Sequence, residues 1–324
     1  MTQLTERWQP CASLATLQQR AALFRTIRAF FEARDVLEVD TPLLSRCGVT
    51  DLHLENLVTR ISRYPDQEFY LQTSPEYAMK RLLAAHGVSI YQLGKVFRDD
   101  EVGRFHNPEF TMLEWYRIGF QMPALIAEVV DLLHQVLGNY AVHQLTYQQA
   151  FLHYLTVDPL TATVAELQAC LSQYEHVADL ACRENDRDTL LQLALALIIE
   201  PQFDAKAITV ISHFPTSQAA LAQIDPHDER VALRFEVYVG GVELANGYQE
   251  LTDATQQRAR FTQDNHLRQQ FGKTPKAPDE RLLKALETGL PACSGVALGV
   301  DRLLMLQTGL DDIRHVLPFD VTCA

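Results

Sequence analysis

The residues most able to do chemistry cluster in a few short stretches. One is Arg98-Asp99-Asp100-Glu101-Val102-Gly103-Arg104-Phe105-His106-Asn107-Pro108-Glu109-Phe110, which lies between two strand-like segments. Arg98, Arg104 and His106 ring a loop and can hold a triphosphate, and Phe110 can stack on a base. In the following strand, period-two geometry sends Phe110, Met112, Glu114 and Tyr116 to one face. Thr111, Leu113 and Trp115 go to the other. One face is then aromatic and acidic and the other apolar. A solvated charged hairpin is the plain alternative for the same residues.

A second stretch, residues 233–251, carries Glu236, Glu243 and Glu250 around Gly240-Gly241, a hairpin signal between alternating runs. A two-residue turn pairs Val239 with Val242 and Tyr238 with Glu243, which makes Glu236 and Glu243 diagonal neighbours on one face. Two carboxylates so placed repel unless a cation lies between them, and Mg²⁺ takes carboxylate and phosphate oxygens. Two solvent-facing glutamates are the alternative. Glu250 has the wrong parity for that face, and a bulge at Asn246-Gly247 would correct it. In a third stretch, residues 295–306, Gly295, Ala297 and Gly299 alternate and leave one strand face nearly bare, suited to close approach of a ligand. Asp301 can cap the next helix, placing Arg302 in its first turn. A cation there opposes the helix dipole, a cost that makes sense if an anion binds, although a surface arginine is the simpler reading. Lastly, Glu76 follows Thr73-Ser74-Pro75 at a helix start. It is either a dipole-stabilising surface residue or a carboxylate for a substrate ammonium.

Several elements must position these groups. Leu23, Phe24, Ile27, Phe30 and Phe31 mark one face of a helix over 13–35, followed by an extended piece at Val36–Val39. A helix is expected at Ser74–Ala85, with Ser74 as cap and Pro75 in the first turn. Strands are expected at 89–98 and 109–118. From about 121 to 205 the pattern turns helical, with one amphipathic helix marked by Leu125, Ile126, Val129, Leu132, Leu133, Val136 and Leu137 and others at 146–155, 163–174 and 188–199. Strands near 207–212, 231–239 and 242–246 follow, then a helix at 253–271 and a helix-strand-helix unit at 279–308. Strands and helices without regular alternation predict an α+β fold built on an antiparallel sheet.

The bulk numbers exclude some functions. The chain has 324 residues, 47% of them hydrophobic, enough for a full core. Its 28 basic and 41 acidic residues give a net charge of −13, which argues against a broad nucleic-acid surface and stable nucleic-acid binding. The six cysteines lack the spacing of a zinc knuckle or a redox dithiol, as expected for reduced thiols in a cytoplasmic protein. No signal peptide is read. The apolar run Leu190–Ile199 is too short for a membrane helix, so no membrane partner is expected.

Taken in order, these motifs resemble class II aminoacyl-tRNA synthetases, the lysine-specific branch above all. Residues 97–116 look like that branch's motif 2, residues 295–306 like motif 3 and Phe24–Val49 like motif 1. The resemblance spans about residues 15–308. Only about a dozen residues precede motif 1, so no anticodon-binding domain is expected. The pattern is similar to the elongation factor P lysine ligases, truncated synthetase paralogs. It implies a single catalytic domain over 1–324 with the class II catalytic fold, an antiparallel sheet flanked by helices, and a helical insertion at about 121–205.

The resemblance also implies an activity and a site. ATP would activate (R)-β-lysine or lysine as an acyl-adenylate, which passes to a lysine side chain of elongation factor P. Arg98 and Arg302 would be catalytic. Arg98 would hold the α-phosphate and the substrate carboxylate, and Arg302 and Phe110 would sandwich the adenine. Asp99, Asp100, His106, Asn107, Glu243, Leu244 and Gly299 would complete the ATP site. Glu236 and Glu243 would carry Mg²⁺. Ser74, Pro75, Glu76, Glu114, Tyr116, Asn246, Glu250 and Ala297 would surround the diamino acid. A homodimer would form through Leu23–Pro42, although core burial explains the same apolar stripe. Two departures stand out. Asp100 replaces the usual glutamate that meets the adenine amino group, with Glu101 as the alternative partner. Ala297 replaces a glycine, a methyl that suits a β-amino acid. Transfer of the amino acid to tRNA and a non-catalytic regulatory paralog are the competing expectations.

Overall fold

Helix α1 (Leu14–Glu32) begins where the Ser13 hydroxyl accepts the Thr16 amide N–H at 3.1 Å. Its Leu23, Ile27, Phe30 and Phe31 are buried. Phe31 stacks on Tyr91 with ring centroids 4.4 Å apart and meets Trp115 edge-on at 5.3 Å. Core burial accounts for these four residues; Phe24 of the same stripe is half-buried, and Leu37 is the large apolar residue of 23–42 left exposed. The computed structural model describes residues 8–99 and 102–324. They divide into one unit of Met1–Phe120 with Thr252–Ala324 and another of Gln121–Leu251.

In the first unit α1 is followed by β1 (Leu37–Glu38), β2 (Leu44–Ser45), β3 (Val58–Arg60) and β4 (Glu68–Leu71). Strands β2, β4 and β3 form a small three-stranded sheet that no periodicity announced, because each strand is too short to alternate. Helix α2 (Glu76–His86) starts one residue later than expected, with Pro75 at the cap position. The Ser74 hydroxyl still accepts the Glu76 amide N–H at 3.0 Å. Strands β5 (Ile90–Phe97) and β6 (Glu109–Ile118) pair antiparallel with Gln92 opposite Glu114, and β1 adds to β5 in parallel.

The second unit opens with α3 (Met122–Leu137) and a strand, β7 (Ala141–Thr146), inside the stretch expected to be purely helical. Helices α4 (Tyr147–Leu155) and α5 (Val164–Leu171) each begin with a capping box, from Thr146 with Gln149 and from Thr163 with Glu166. Helices α6 (Glu175–Ala181) and α7 (Arg187–Ala194) follow, and α7 continues as a π-helical turn over Leu195–Ile199. Tyr147, Phe151, Leu171, Leu191, Ile199 and Phe214 are at the centre of their shared core. The strands β8 (Ala207–Pro215), β9 (Ile224–Asp225), β10 (Asp228–Val239) and β11 (Val242–Gln249) complete this unit. β10 pairs antiparallel with β11, β8 and β9, while β7 runs parallel to β8 along the edge.

The chain then returns to the first unit with α8 (Ala254–Gln270), α9 (Glu280–Gly289), β12 (Cys293–Gly299) and α10 (Val300–Thr308). β12 pairs antiparallel with β6, so this unit's sheet runs β1-β5-β6-β12. Both units are mixed sheets with flanking helices, α+β in class. The parallel edges at β1 and β7 depart from the all-antiparallel expectation. Asp301 does not cap α10, because Gly299 occupies that position. Its buried carboxylate instead pairs with Arg20 of α1 at 2.5 Å and accepts the Thr111 amide N–H of β6 at 2.6 Å. Among the described residues no helix is long and apolar enough to cross a membrane.

Candidate active site

The register of β5, β6 and β12 assembles one face of the first unit's sheet. Tyr116 lies opposite Gly295, Glu114 opposite Ala297 and Met112 opposite Gly299. Cross-strand partners share a face, so the bare strand lies directly beside the acidic and aromatic one. Glu114 is 2% exposed, and its carboxylate accepts the Tyr116 hydroxyl and the Ser74 hydroxyl, each at 2.7 Å. The Ser74 hydroxyl therefore both starts α2 and fixes Glu114. Glu76, in the first turn of that helix, pairs with the buried Lys80 at 2.7 Å. Lys80 was not anticipated. Its i+4 spacing from Glu76 was the available signal. One Glu76 oxygen is thereby taken, and any ammonium it receives shares that carboxylate with Lys80.

At the end of the same strands the loop residues converge. The Arg98 guanidinium lies over the Phe110 ring, 5.2 Å from its centroid. Arg302, in the first turn of α10, donates to His106 Nε2 at 2.7 Å and to the Phe105 carbonyl at 3.3 Å. Accepting from Arg302 requires an unprotonated Nε2, so His106 carries its proton elsewhere in this arrangement. A Cβ added to Gly299 would touch the Arg302 side chain at 3.8 Å, an ordinary contact. Asn107 is buried: Nδ2 donates to the Glu109 carbonyl at 2.7 Å and Oδ1 accepts the Val321 N–H at 3.0 Å. Asp99 is exposed and its N–H donates to the Glu55 carbonyl at 3.0 Å. Asp100 and its alternative Glu101 lie outside the described residues.

In the second unit Gly240 and Gly241 form the expected two-residue turn, with φ of 58° and 74°. Tyr238 pairs with Glu243, but Val237 pairs with Ala245 and Glu236 with Asn246. The extra residue is Leu244, so the bulge lies two positions before the Asn246-Gly247 site expected for it. Its effect is the one required. The face shared by Glu236, Tyr238 and Glu243 continues through Asn246, Tyr248 and Glu250. Glu236 is buried, and its carboxylate accepts from Arg234, the Tyr238 hydroxyl and Asn246 Nδ2, the last at 3.1 Å. Burial works against charge on Arg234, but the Glu236 carboxylate holds the guanidinium above its ordinary pKa. Burial and then Glu236 push the Tyr238 phenol well up. Arg234, and the hydrogen bond from Tyr238, were missed by sequence reading, although both residues lie two positions from Glu236 on the same strand.

This carboxylate face can be tested for a divalent cation. A carboxylate offers roughly four lone-pair positions, and the contacts to Glu236 leave capacity for one more ligand. Asn246 Oδ1 is buried without a hydrogen-bond partner, an acceptor left over beside Glu236. The donor set of Glu236, Glu243 and Asn246 is all oxygen, the set that Mg²⁺ takes. The residues fit the ion, with Glu236 buried and Glu243 half-buried. Glu250, 3% exposed, closes the same face and pairs with Ala222.

Comparison with known proteins places the chain in a family. A family model described as tRNA synthetases class II (D, K and N) matches residues 8–322. The chain is 52% identical to the elongation factor P–(R)-β-lysine ligase of Proteus mirabilis over 97% of both chains. It is also 52% identical to the ligase of that name from Pseudoalteromonas translucida, and 51% identical to that of Klebsiella pneumoniae, over 98% of both chains in each case. With its sheets, its arginine-bearing loop and helix, and its near full-length similarity to these enzymes, the chain belongs to the class II tRNA synthetase family and, within it, to the elongation factor P–(R)-β-lysine ligases.

Proposed function

We propose that this chain is an AMP-forming ligase that activates (R)-β-lysine, or lysine, with ATP and transfers it to a lysine side chain of elongation factor P. The observation that carries the reading is the pair of arginines at the loop 98–110, one stacked on Phe110 and one held by His106 and the Phe105 carbonyl. Such groups suit an adenine ring and a run of phosphates. In the first step a substrate carboxylate oxygen attacks the α-phosphorus of ATP. The bond to the β-phosphate oxygen breaks and pyrophosphate leaves. Arg98 is assigned to the α-phosphate and the attacking carboxylate, where positive charge favours both approach and transition state. Arg302 and Phe110 are assigned to the adenine, and His106, Asp99, Leu244 and Gly299 to the rest of the nucleotide. In the second step a lysine amine of elongation factor P attacks the acyl carbonyl, an amide forms and AMP departs.

Mg²⁺, held by Glu236 and Glu243, would offset phosphate charge. Glu114, Glu250, Glu76 and Tyr116 are assigned to the substrate's ammonium groups, and Asn246, Ser74 and Pro75 to the same substrate. Ala297, opposite Glu114 across the strands, adds one methyl beneath the substrate. A methyl can shift discrimination by about 1–3 kcal/mol, enough to rank isomers. The proposed assembly is a homodimer, to be checked by light scattering. The activity is tested by amino-acid-dependent ATP–pyrophosphate exchange. Exchange should be stronger with (R)-β-lysine than with α-lysine, and Arg302→Ala should suppress it chiefly by weakening ATP use. Near wild-type exchange in that variant would remove Arg302 from the nucleotide site.

A further inference from the structure

Two cysteines that are far apart in sequence meet in the first unit. The Sγ atoms of Cys11 and Cys323 lie 2.8 Å apart across a sequence separation of 312 residues. That is closer than two unbonded sulfurs ordinarily pack, although longer than the ~2.04 Å of a disulfide. The backbone holds them in place. The Cys11 N–H donates to the Pro318 carbonyl at 2.8 Å and the Ala12 N–H to the Leu317 carbonyl at 3.1 Å. The Cys323 N–H donates to the Asp320 carbonyl at 3.1 Å, and the buried Asp320 carboxylate accepts the Thr322 hydroxyl at 2.7 Å. Both cysteines are half-buried.

The segment that carries Cys323 also braces the arginine loop. Asn107 Oδ1 accepts the Val321 N–H, the Ile313 N–H donates to the Arg104 carbonyl at 2.9 Å, and Arg104 Nε donates to the Asp311 carbonyl at 2.6 Å. Whatever fastens residues 311–323 therefore also steadies residues 104–107.

We propose that Cys11 and Cys323 are a reversible redox site, which closes to an intramolecular disulfide under a low-molecular-weight disulfide oxidant and tightens the brace on the arginine loop. In the first step the Cys11 sulfur attacks one sulfur of the oxidant. A mixed disulfide forms, and one small thiol leaves with the proton that Cys11 gives up. Cys323 then attacks the Cys11 sulfur, the Cys11–Cys323 bond forms, and the second small thiol leaves with the Cys323 proton. The two cysteines are oxidised and the oxidant is reduced to two thiols. The Cys323 thiol is pushed up to about 11, first by its hydrogen bond with Cys11 and then by burial. The raised value leaves Cys323 the poorer first nucleophile, so Cys11 is assigned the first attack and Cys323 the second, once the hydrogen bond that raises it is lost in the mixed disulfide.

The same residues admit a second chemistry, because ligand atoms of Cys11, Asp320 and Cys323 lie within 4.8 Å of one another. Two thiolates on one tetrahedral zinc, each at ~2.3 Å from it, stand farther apart than these sulfurs do. The close sulfur approach favours the disulfide.

The test uses the reduced full chain treated with oxidised glutathione, followed by intact-mass and non-reducing peptide analysis. The expected product has lost the mass of two hydrogens and yields the peptide containing Cys11 linked to that containing Cys323. Amide exchange at 104–107 and 318–322 should slow in this form and recover with reductant, and Cys323→Ser should show neither change. A stable glutathione adduct on Cys11 of the wild type, or bonds from Cys11 to other cysteines, would overturn the proposal. So would one equivalent of zinc held by the reduced chain and lost in Cys323→Ser. None of these readouts depends on catalytic activity, so they stand apart from the proposed function.

Discussion

Replacing Asp301 by Asn should destabilise the first unit and unseat Arg302, its chain neighbour. The Asp301 carboxylate is 2% exposed and meets an Arg20 guanidinium that is 10% exposed. It also accepts the Thr111 amide at 2.6 Å, while Arg20 donates to the Thr111 hydroxyl at 2.6 Å. Breaking a buried, hydrogen-bonded pair costs about 3–5 kcal/mol, since the remaining charge loses its partner. The asparagine oxygen can keep one of the two bonds and restores about 1 kcal/mol. The expected loss is therefore about 2–4 kcal/mol. Urea unfolding followed by tryptophan fluorescence measures it, because Trp115 is fully buried against Phe31 while Trp8 is 80% exposed. Arg20→Met combined with Asp301→Leu should cost much less than the sum of the single changes, with a coupling energy above about 2 kcal/mol. A single-variant loss below about 1 kcal/mol, typical of an exposed pair, would refute the reasoning. So would strict additivity.

Other outcomes follow from the same contacts. Glu250→Gln should raise the apparent KM for the amino acid more than that for ATP. Equal effects in steady-state kinetics would move Glu250 to the metal ligands. Gly241→Ala should destabilise the second unit by at least about 1–2 kcal/mol in thermal unfolding, because φ is +74° and a Cβ would lie 2.8 Å from the Glu200 carbonyl oxygen. A neutral effect would mean that the turn adopts another geometry. Burial and then the Asp51 charge raise the Asp264 carboxyl against the hydrogen bond from Thr50. Its contribution to stability is full below the unfolded pKa of about 3.9 and is lost as pH rises through the folded value. Asp264→Asn should therefore be more stable than wild type at pH 7 and lose that advantage in acid. An advantage independent of pH would exclude titration as the cause.

Much of this was legible because periodic patterns report directly on faces. The α1 stripe and the alternation through Phe110, Met112, Glu114 and Tyr116 needed only the helix and strand repeats. Gly240-Gly241 announced its hairpin because few other residues adopt its backbone angles. The bulge was harder. Glu250's parity demanded one, but its place at Leu244 follows from the pairing register, a long-range property. Asp301 looked like a helix cap because an acidic residue beside a helix start usually is one. Its true partner, Arg20, lies 281 residues away in sequence. Lys80 and Arg234 were passed over for a related reason: a basic residue at i+4 or i−2 from a carboxylate usually reads as surface, and burial is what shows that it neutralises that carboxylate. The same holds for Cys11 and Cys323, whose spacing matches no motif.

The central claim is that this chain joins a diamino acid to elongation factor P. Intact-mass analysis of elongation factor P after incubation with the chain, ATP, Mg²⁺ and (R)-β-lysine tests it most directly. A mass gain of one lysyl group, dependent on ATP and larger with (R)-β-lysine than with α-lysine, is the expected result. An unmodified factor, alongside aminoacyl-tRNA formed by the same enzyme preparation, would contradict it.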